Sequence, residues 1–310
     1  MKVLIIDKMH ESILPLLESI GLKGEYQPDI TREEILECIA DYEGIIVRSK
    51  IPIDKAFLEN ASHLKFVGRA GAGIDNVDMS MMEQLGIELV NAPEGNRDAV
   101  AEHSMAMLLG LFNKIHFADR EVRNYIWDRE GNRGVELMEK TVGLLGFGYM
   151  GQAFAKRLSA FGCRVLAYDH HQVKDLGGLP YAEKVDLDQF YSEVEVLSVH
   201  IPLNKDNFGL IDASFLDHFK KLSYLINTAR GEIVVLSDLL AKLDDQSLLG
   251  VALDVLPNEK MQQLTTEEKK QYDQLFQYKQ VVLSPHVAGW THESYRKINE
   301  VLVKKIEKLL

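Results

Sequence analysis

The chain has 310 residues, 46% hydrophobic and 26% charged, with 8 Pro, a globular composition that excludes disordered, collagen-like and low-complexity chains. Single hydrophobic cores stop growing near roughly 250 to 300 residues, so the length predicts two domains. The formal net charge of −12 excludes nucleic-acid backbones and anionic membrane surfaces as main partners, because both would repel the chain.

Cys38 and Cys163 cannot build a disulfide framework and form no CxxC pair, so no metal or redox pair is assigned. The apolar run Val3 to Ile6 is too short for a signal sequence, and no stretch reaches the ~18 apolar residues of a membrane span. The expectation is a soluble, cytoplasmic protein.

Short apolar runs alternate with helical patterns from the first residue. Val3 to Ile6 reads as a buried strand, Thr31-Arg32-Glu33-Glu34 as a capping box opening a helix to about Ala40, and Gly44 to Val47 as the next strand. Leu64 to Gly68 and Ile87 to Val90 continue the series. These runs lack alternating polar positions, which predicts parallel strands covered on both faces. A stretch rich in Ala, Met and Leu from about Asp98 to Tyr125 predicts one long helix and a change of module.

A second series follows: Val142 to Gly146, Arg164 to Tyr168, Val194 to Val199, Tyr224 to Ile226, Leu249 to Leu253 and Val281 to Leu283. Asn258 to Gln280 is strongly polar and reads as a surface helix or loop excursion. Thr291 to Leu310 reads as an amphipathic helix with Ile298, Val301, Leu302, Ile306 and Leu309 on its apolar side. The expected class is α/β with two doubly wound parallel-sheet domains, the second sheet lying between about 92 and 284 and the last helix beyond it.

Gly146-Phe147-Gly148-Tyr149-Met150-Gly151 follows a predicted strand and opens a predicted helix. In that context the first glycine allows the turn, the second lets the backbone approach a pyrophosphate, and the third lets helix and strand pack closely. The helix N-terminus adds free N–H groups and positive dipole for the phosphates. The next strand ends in Asp169, whose carboxylate suits the ribose hydroxyls of a dinucleotide; a 2′-phosphate would meet its charge, so the pattern selects NAD over NADP.

Three further segments complete an ordered set: Asn227 to Glu232, Ala252 to Glu259, and Ser284 to Gly289. With the glycine loop they resemble the D-isomer-specific 2-hydroxyacid dehydrogenase family over essentially the whole chain. Val47-Arg48-Ser49, Gly68 to Asp78 and Asn91 to Asn96 are most similar to its phosphoglycerate dehydrogenase branch. The resemblance implies a flavodoxin-like substrate domain (1–91 plus 286–310) and a Rossmann NAD-binding domain (92–285).

The resemblance assigns Arg230, Glu259 and His286 as catalytic, and the chemistry fits. Oxidising a 2-hydroxy acid needs a base for the hydroxyl proton and a cation for the neighbouring carboxylate. His286 would be the acid or base, Glu259 would orient it and raise its pKa, and Arg230 would hold the carboxylate with two-pronged geometry. Glu259 stands where the formate dehydrogenase branch carries Gln.

Cofactor residues implied by the resemblance are Gly146, Gly148, Tyr149, Met150 and Gly151 at the pyrophosphate, Asp169 at the ribose, and His200, Ile201 and Pro202 on the adenine side. Thr228, Ala229, Arg230 and Asp254 would lie near the carboxamide, and His286 to Gly289 beside the nicotinamide. Ala72 and Ile201 stand where hydroxyl residues are common, each removing a bond worth about 0.5–1.5 kcal/mol. Lys260 replaces the usual Pro after the glutamate.

For the substrate, the N–H groups of Ala70, Gly71 and Ala72 would cradle a carboxylate. Arg48 and Arg69 would supply charge for a second anionic group. Arg129 resembles a position that reaches across a dimer interface toward a phosphate. Trp290 either narrows the pocket or packs in the core. A small anionic 2-hydroxy or 2-oxo acid is implied, with 3-phospho-D-glycerate oxidised to 3-phosphooxypyruvate in serine biosynthesis as the favoured reaction. The alternatives are a glyoxylate or hydroxypyruvate reductase, a D-lactate dehydrogenase, and, from another class, an NAD-sensing corepressor-like protein. The 98–135 region resembles the family's dimerisation arm, which implies a homodimer, and the end at Leu310 leads to the expectation of no C-terminal regulatory domain and no serine inhibition through one.

Overall fold

Each apolar run read from the sequence forms a strand, and every strand pairing is parallel. The computed structural model describes residues 1–310, which divide into two units, Met1–Arg97 with Trp290–Leu310, and Asp98–Gly289.

The first unit holds β1 (Lys2–Ile5), β2 (Lys23–Tyr26), β3 (Gly44–Val47), β4 (Phe66–Arg69) and β5 (Glu88–Asn91), in the order β2-β1-β3-β4-β5. This is the flavodoxin-like winding. Alternate residues of one strand feed opposite cores. Leu4, Ile45, Val47 and Val67 pack on one face with Ile35 and Phe57, while Val3, Ile5, Ile46 and Phe66 pack on the other with Ile298 and Leu302. Covering both faces is what makes the runs continuously apolar. The second face is closed by the C-terminal helix His292–Glu307, capped by Thr291, with Ile298, Leu302, Val303 and Ile306 buried.

The second unit holds β6 (Thr141–Leu145), β7 (Arg164–Tyr168), β8 (Glu183–Lys184), β9 (Val196–Val199), β10 (Tyr224–Asn227), β11 (Gly250–Leu253) and β12 (Val281–Leu283), in the order β12-β11-β10-β9-β6-β7-β8. Counted from β6, the winding is that of a Rossmann sheet with an added edge strand. The order reverses between β6 and β9, and that switch point is where ligands bind in such sheets, beyond the carboxyl ends of the strands.

The structure departs from the sequence expectation in three places. The stretch from Asp98 to Tyr125 is not one helix: helices Pro93–Phe112 and Ile115–Arg123 are separated by Lys114, whose φ of 50° is left-handed. The units break at Arg97/Asp98 and Gly289/Trp290, later than the expected 91/92 and 285/286. Ala92 shares the first unit's core with Ile298, and the backbone of His286, Val287 and Ala288 is hydrogen-bonded to Asp254 of the second unit. The edge strands β2 and β8 carry the polar sequences KGEY and EK, so no apolar run announced them. The polar excursion after Asn258 contains the helix Thr266–Leu275, opened by a complete capping box between Thr265 and Glu268. No helix is long and apolar enough to cross a membrane.

Candidate active site

In the second unit every residue the sequence singled out at the glycine, ribose and catalytic positions lies at or beyond the carboxyl end of a strand. The glycine loop follows β6 and His200 to Pro202 follow β9, one on each side of the switch point. Asp169 follows β7, Thr228 to Arg230 follow β10, Asp254 and Glu259 follow β11, and His286 follows β12.

The glycines meet the demands of a dinucleotide loop for separate reasons. Gly146 has φ 95°, and a Cβ there would stand 2.8 Å from the His200 carbonyl, so the loops after β6 and β9 approach only without a side chain. A Cβ on Gly148 would meet nothing within 4 Å, which leaves open space at the start of the helix Tyr149–Leu158. A Cβ on Gly151 would overlap the Gly146 carbonyl oxygen. The Asp169 carboxylate ties this loop to β7, accepting from the Phe147 amide at 2.7 Å and the His171 amide at 2.9 Å; its remaining lone pairs suit ribose hydroxyls. The His200 ring bonds Ser198 at 2.9 Å and packs against Phe154, and burial pushes its pKa down to about 4, so it is neutral near pH 7.

The loop after β10 is tied by Asn227, whose side chain donates to the Arg230 carbonyl and accepts from the Ala229 amide. Thr228 Oγ1 lies 3.1 Å from Ser104 Oγ. Arg230 Nη1 donates to the Ala229 carbonyl at 2.7 Å. A Cβ on the next residue, Gly231, would overlap the backbone of Leu256 and Pro257, so the loops after β10 and β11 are in direct backbone contact here.

His286 Nδ1 lies 2.8 Å from Glu259 Oε1 and 2.9 Å from Oε2. This hydrogen bond holds the imidazolium above the usual histidine value, against the opposing pulls of burial and of the Arg230 charge. Glu259 is steadied from behind: the Asn258 amide donates to Tyr272 Oη, which donates in turn to the Asn258 carbonyl, and Tyr272 is 1% exposed on the helix Thr266–Leu275. Lys260, in place of proline, uses its amide to bond the Asn258 side chain at 3.0 Å.

Asp254, expected near the carboxamide, is engaged by the protein itself. It is 2% exposed, and its carboxylate accepts from the Ser284 hydroxyl and the Val287 and Ala288 amides, with His103 Nε2 3.5 Å away. Burial raises its pKa, but these donors together hold it below the usual carboxylate range. Asp254 thus holds the turn that carries His286. His103, Asn227, Ser284 and Gly231 are the residues that sequence reading missed as site residues; three lie in the quoted motifs, and His103 carries no motif signal.

The first unit brings Arg48, Arg69 and the loop after β4 to the carboxyl ends of its own strands. The Arg48 guanidinium stacks 4.6 Å from the Trp290 ring and 5.2 Å from the Tyr295 ring. Trp290 is 67% exposed, so it does not pack in the core. The expected cradle of three amides is corrected. Ala70 N–H donates to Val47 O, continuing the β3–β4 ladder, and Gly71 N–H donates to Arg69 O in a tight turn, which leaves Ala72 of the three. Arg129 is exposed on the segment after the second-unit helix Ile115–Arg123, beside Trp127.

Residues 105–288 match the sequence model described as D-isomer specific 2-hydroxyacid dehydrogenase, NAD binding domain. The chain belongs to the D-isomer specific 2-hydroxyacid dehydrogenase family. Among its relatives, the D-3-phosphoglycerate dehydrogenase of Archaeoglobus fulgidus is 34% identical over 99% of this chain and 56% of its own length. That of Rattus norvegicus is 31% identical over 96% of this chain and 54% of its own. The chain thus spans about half the length of these relatives. A solved D-2-hydroxyisocaproate dehydrogenase is 26% identical with a TM-score of 0.82, covering 100% of this chain and 98% of that one.

The cofactor of this family's matched domain is NAD, and the glycine loop fits it: an open helix start at Gly148, a glycine-only turn at Gly146 and a carboxylate at Asp169. No group of three or more His, Cys, Asp or Glu side chains is placed to hold a metal ion.

Proposed function

We propose that this chain is an NAD-dependent dehydrogenase that oxidises 3-phospho-D-glycerate to 3-phosphooxypyruvate, a reaction serving serine biosynthesis in the cytoplasm. The observation that carries the dehydrogenase reading is the His286–Glu259 hydrogen bond with the Arg230 charge beside it, at the carboxyl ends of a Rossmann sheet. Glu259 accepts from Nδ1–H, so in the neutral ring Nε2 holds the lone pair and takes the substrate hydroxyl proton. In the reverse direction the same nitrogen returns it. Arg230 pairs with the substrate carboxylate and with the negative charge developing on the C2 oxygen. Bound at the glycine loop, NAD supplies the hydride acceptor. Asp169 favours NAD over NADP by repelling a 2′-phosphate.

Arg48 and Arg69 are the proposed partners of the phosphate, with Ala72 N–H as a further donor, and two relatives named D-3-phosphoglycerate dehydrogenase support the substrate. Absorbance of NADH tests it with 3-phosphoglycerate in the oxidative direction and glyoxylate, hydroxypyruvate and pyruvate in the reductive one. Turnover of 3-phosphoglycerate whose KM Arg48→Ala raises strongly is the expected result. Turnover only of unphosphorylated acids would replace the substrate. Absence of turnover would favour an NAD-sensing binding protein.

A homodimer through the 98–135 region belongs to the same proposal. Tyr125 is 100% exposed and Trp127 79% exposed, with Val122 and Ile126 also exposed, and a second copy is the partner that would cover this apolar strip. Light scattering on the wild type should give twice the chain mass, and Trp127→Asp should give a monomer.

A further inference from the structure

His286 has φ 55° although it carries a side chain, a conformation that persists only where its neighbours fix it. Asp254 fixes it. Its carbonyl accepts the His286 amide at 2.7 Å, and its carboxylate accepts the amides of Val287 and Ala288, each at 2.9 Å. A carboxylate that turned about its Cβ–Cγ bond would release both amides and loosen the turn.

What prevents that rotation is a chain of two further side chains. The Ser284 hydroxyl lies 2.6 Å from Asp254 Oδ1, and His103 Nε2 lies 2.8 Å from Ser284 Oγ and 3.5 Å from the same Oδ1. The proton count fixes the direction. A hydroxyl oxygen this close to a carboxylate oxygen must have its single proton between them, so Ser284 donates to Asp254 and can only accept from His103. His103 therefore carries its hydrogen on Nε2. The competing approach of Ser284 Oγ to Met107 Sδ, at 3.7 Å, involves a weak acceptor. His103 stands on the helix Pro93–Phe112, whose Ala101, Met105 and Leu108 are packed in the core of the second unit, so the chain ends on a rigid element.

We propose that His103 is a positioning residue for His286: through Ser284 it locks the Asp254 carboxylate, and through that carboxylate the turn His286–Ala288. The inference rests on the reading of His286 as the acid–base group, and goes beyond it in assigning a role to a residue of a helix remote in sequence from that turn.

The test combines kinetics with an observable that needs no turnover. His103→Ala should lower kcat about 10- to 100-fold, the cost of a misplaced acid–base group, while NADH affinity by fluorescence titration stays unchanged. His103→Gln, which presents an N–H near the same place, should restore most of kcat. Ser284→Ala should match His103→Ala, and the double variant should lose no more than the larger single loss, since both cut one chain. Hydrogen exchange of the Val287 and Ala288 amides should be faster in His103→Ala and return to the wild-type rate in His103→Gln. Unchanged exchange, additive losses, or loss of NADH affinity in step with kcat would each overturn the proposal. A wild type without turnover would sink the dehydrogenase reading instead, and the exchange rates would still decide the lock.

Discussion

Glu259 and His286 meet with Nδ1 almost equidistant from both carboxylate oxygens, at 2.8 and 2.9 Å. Shared this way, the Nδ1 proton stays on the ring, Nε2 is left for the substrate, and the charged form of the ring is favoured. The two residues come from loops after adjacent strands, β11 and β12, so the pair depends on how those loops are braced.

The pH dependence follows from that bond. His286 titrates above the usual histidine value. Oxidation needs the neutral ring, so it should fail on the acid side at a pH above that ordinary value; reduction needs the imidazolium and should persist up to the same raised pKa. Glu259→Gln removes the carboxylate charge, so both limbs should move to lower pH, with a lower kcat. His286→Gln should cost roughly 10²–10⁴-fold in kcat at all pH values. A pH–rate profile for Glu259→Gln superimposable on wild type would remove the role given to the pair.

Gly148 and Gly151 should separate binding from folding. A methyl at Gly148 meets nothing in the protein, so Gly148→Ala should leave the melting temperature unchanged while weakening NADH binding, because it occupies the approach to the pyrophosphate. A methyl at Gly151 overlaps the Gly146 carbonyl, so Gly151→Ala should lose about 1–3 kcal/mol in urea unfolding. Equal NADH affinity in Gly148→Ala and wild type would place the phosphates elsewhere.

Gly231 should be less tolerant still. Its missing side chain lets the loop holding Arg230 touch the backbone of Leu256 and Pro257, two residues before Glu259. Backbone cannot rotate aside as a side chain can, so Gly231→Ala should destabilise by about 1–3 kcal/mol or more and reduce kcat through both Arg230 and Glu259. A variant with wild-type stability and kcat would contradict this contact.

Sequence legibility followed the physics of each feature. Strands buried on both faces leave continuous Val, Ile and Leu runs, so β1, β3 and β4 were readable, whereas the edge strands Lys23–Tyr26 and Glu183–Lys184 carry polar residues and have no such signature. Thr31 announced its helix because capping is a local exchange of hydrogen bonds. The left-handed Lys114 that splits the long helix is not marked by glycine. Arg230, Glu259 and His286, the residues proposed as catalytic, stand out in the sequence as an ordered set of motifs. The amide cradle was misread because peptide N–H groups carry no residue identity: Ala70 and Gly71 spend theirs on Val47 and Arg69 carbonyls. His103 escaped because its partners, Ser284 and Asp254, are distant in sequence.

Arg48 should owe part of its phosphate affinity to the rings beneath it. Its guanidinium lies 4.6 Å from the centre of the Trp290 ring and 5.2 Å from that of Tyr295, and its own amide donates to Asp7 at 2.7 Å. The stacking covers the faces of the guanidinium and limits the orientations of a long side chain, while its N–H groups lie at the edge of the plane. An exposed cation–π contact is worth about 0.5–1 kcal/mol, so Trp290→Ala should raise KM for 3-phosphoglycerate about 2- to 5-fold. Trp290→Phe should recover much of that loss. Thermal stability should not change, because Trp290 is 67% exposed. Arg48→Ala should act more strongly in the same direction, since a charged hydrogen-bond partner worth about 1.5–3 kcal/mol is removed. The decisive comparison is with D-glycerate, which has the same reacting centre and no phosphate. Its KM should be indifferent to both substitutions, and an equal rise for the two substrates would move Trp290 from the phosphate to the reacting end.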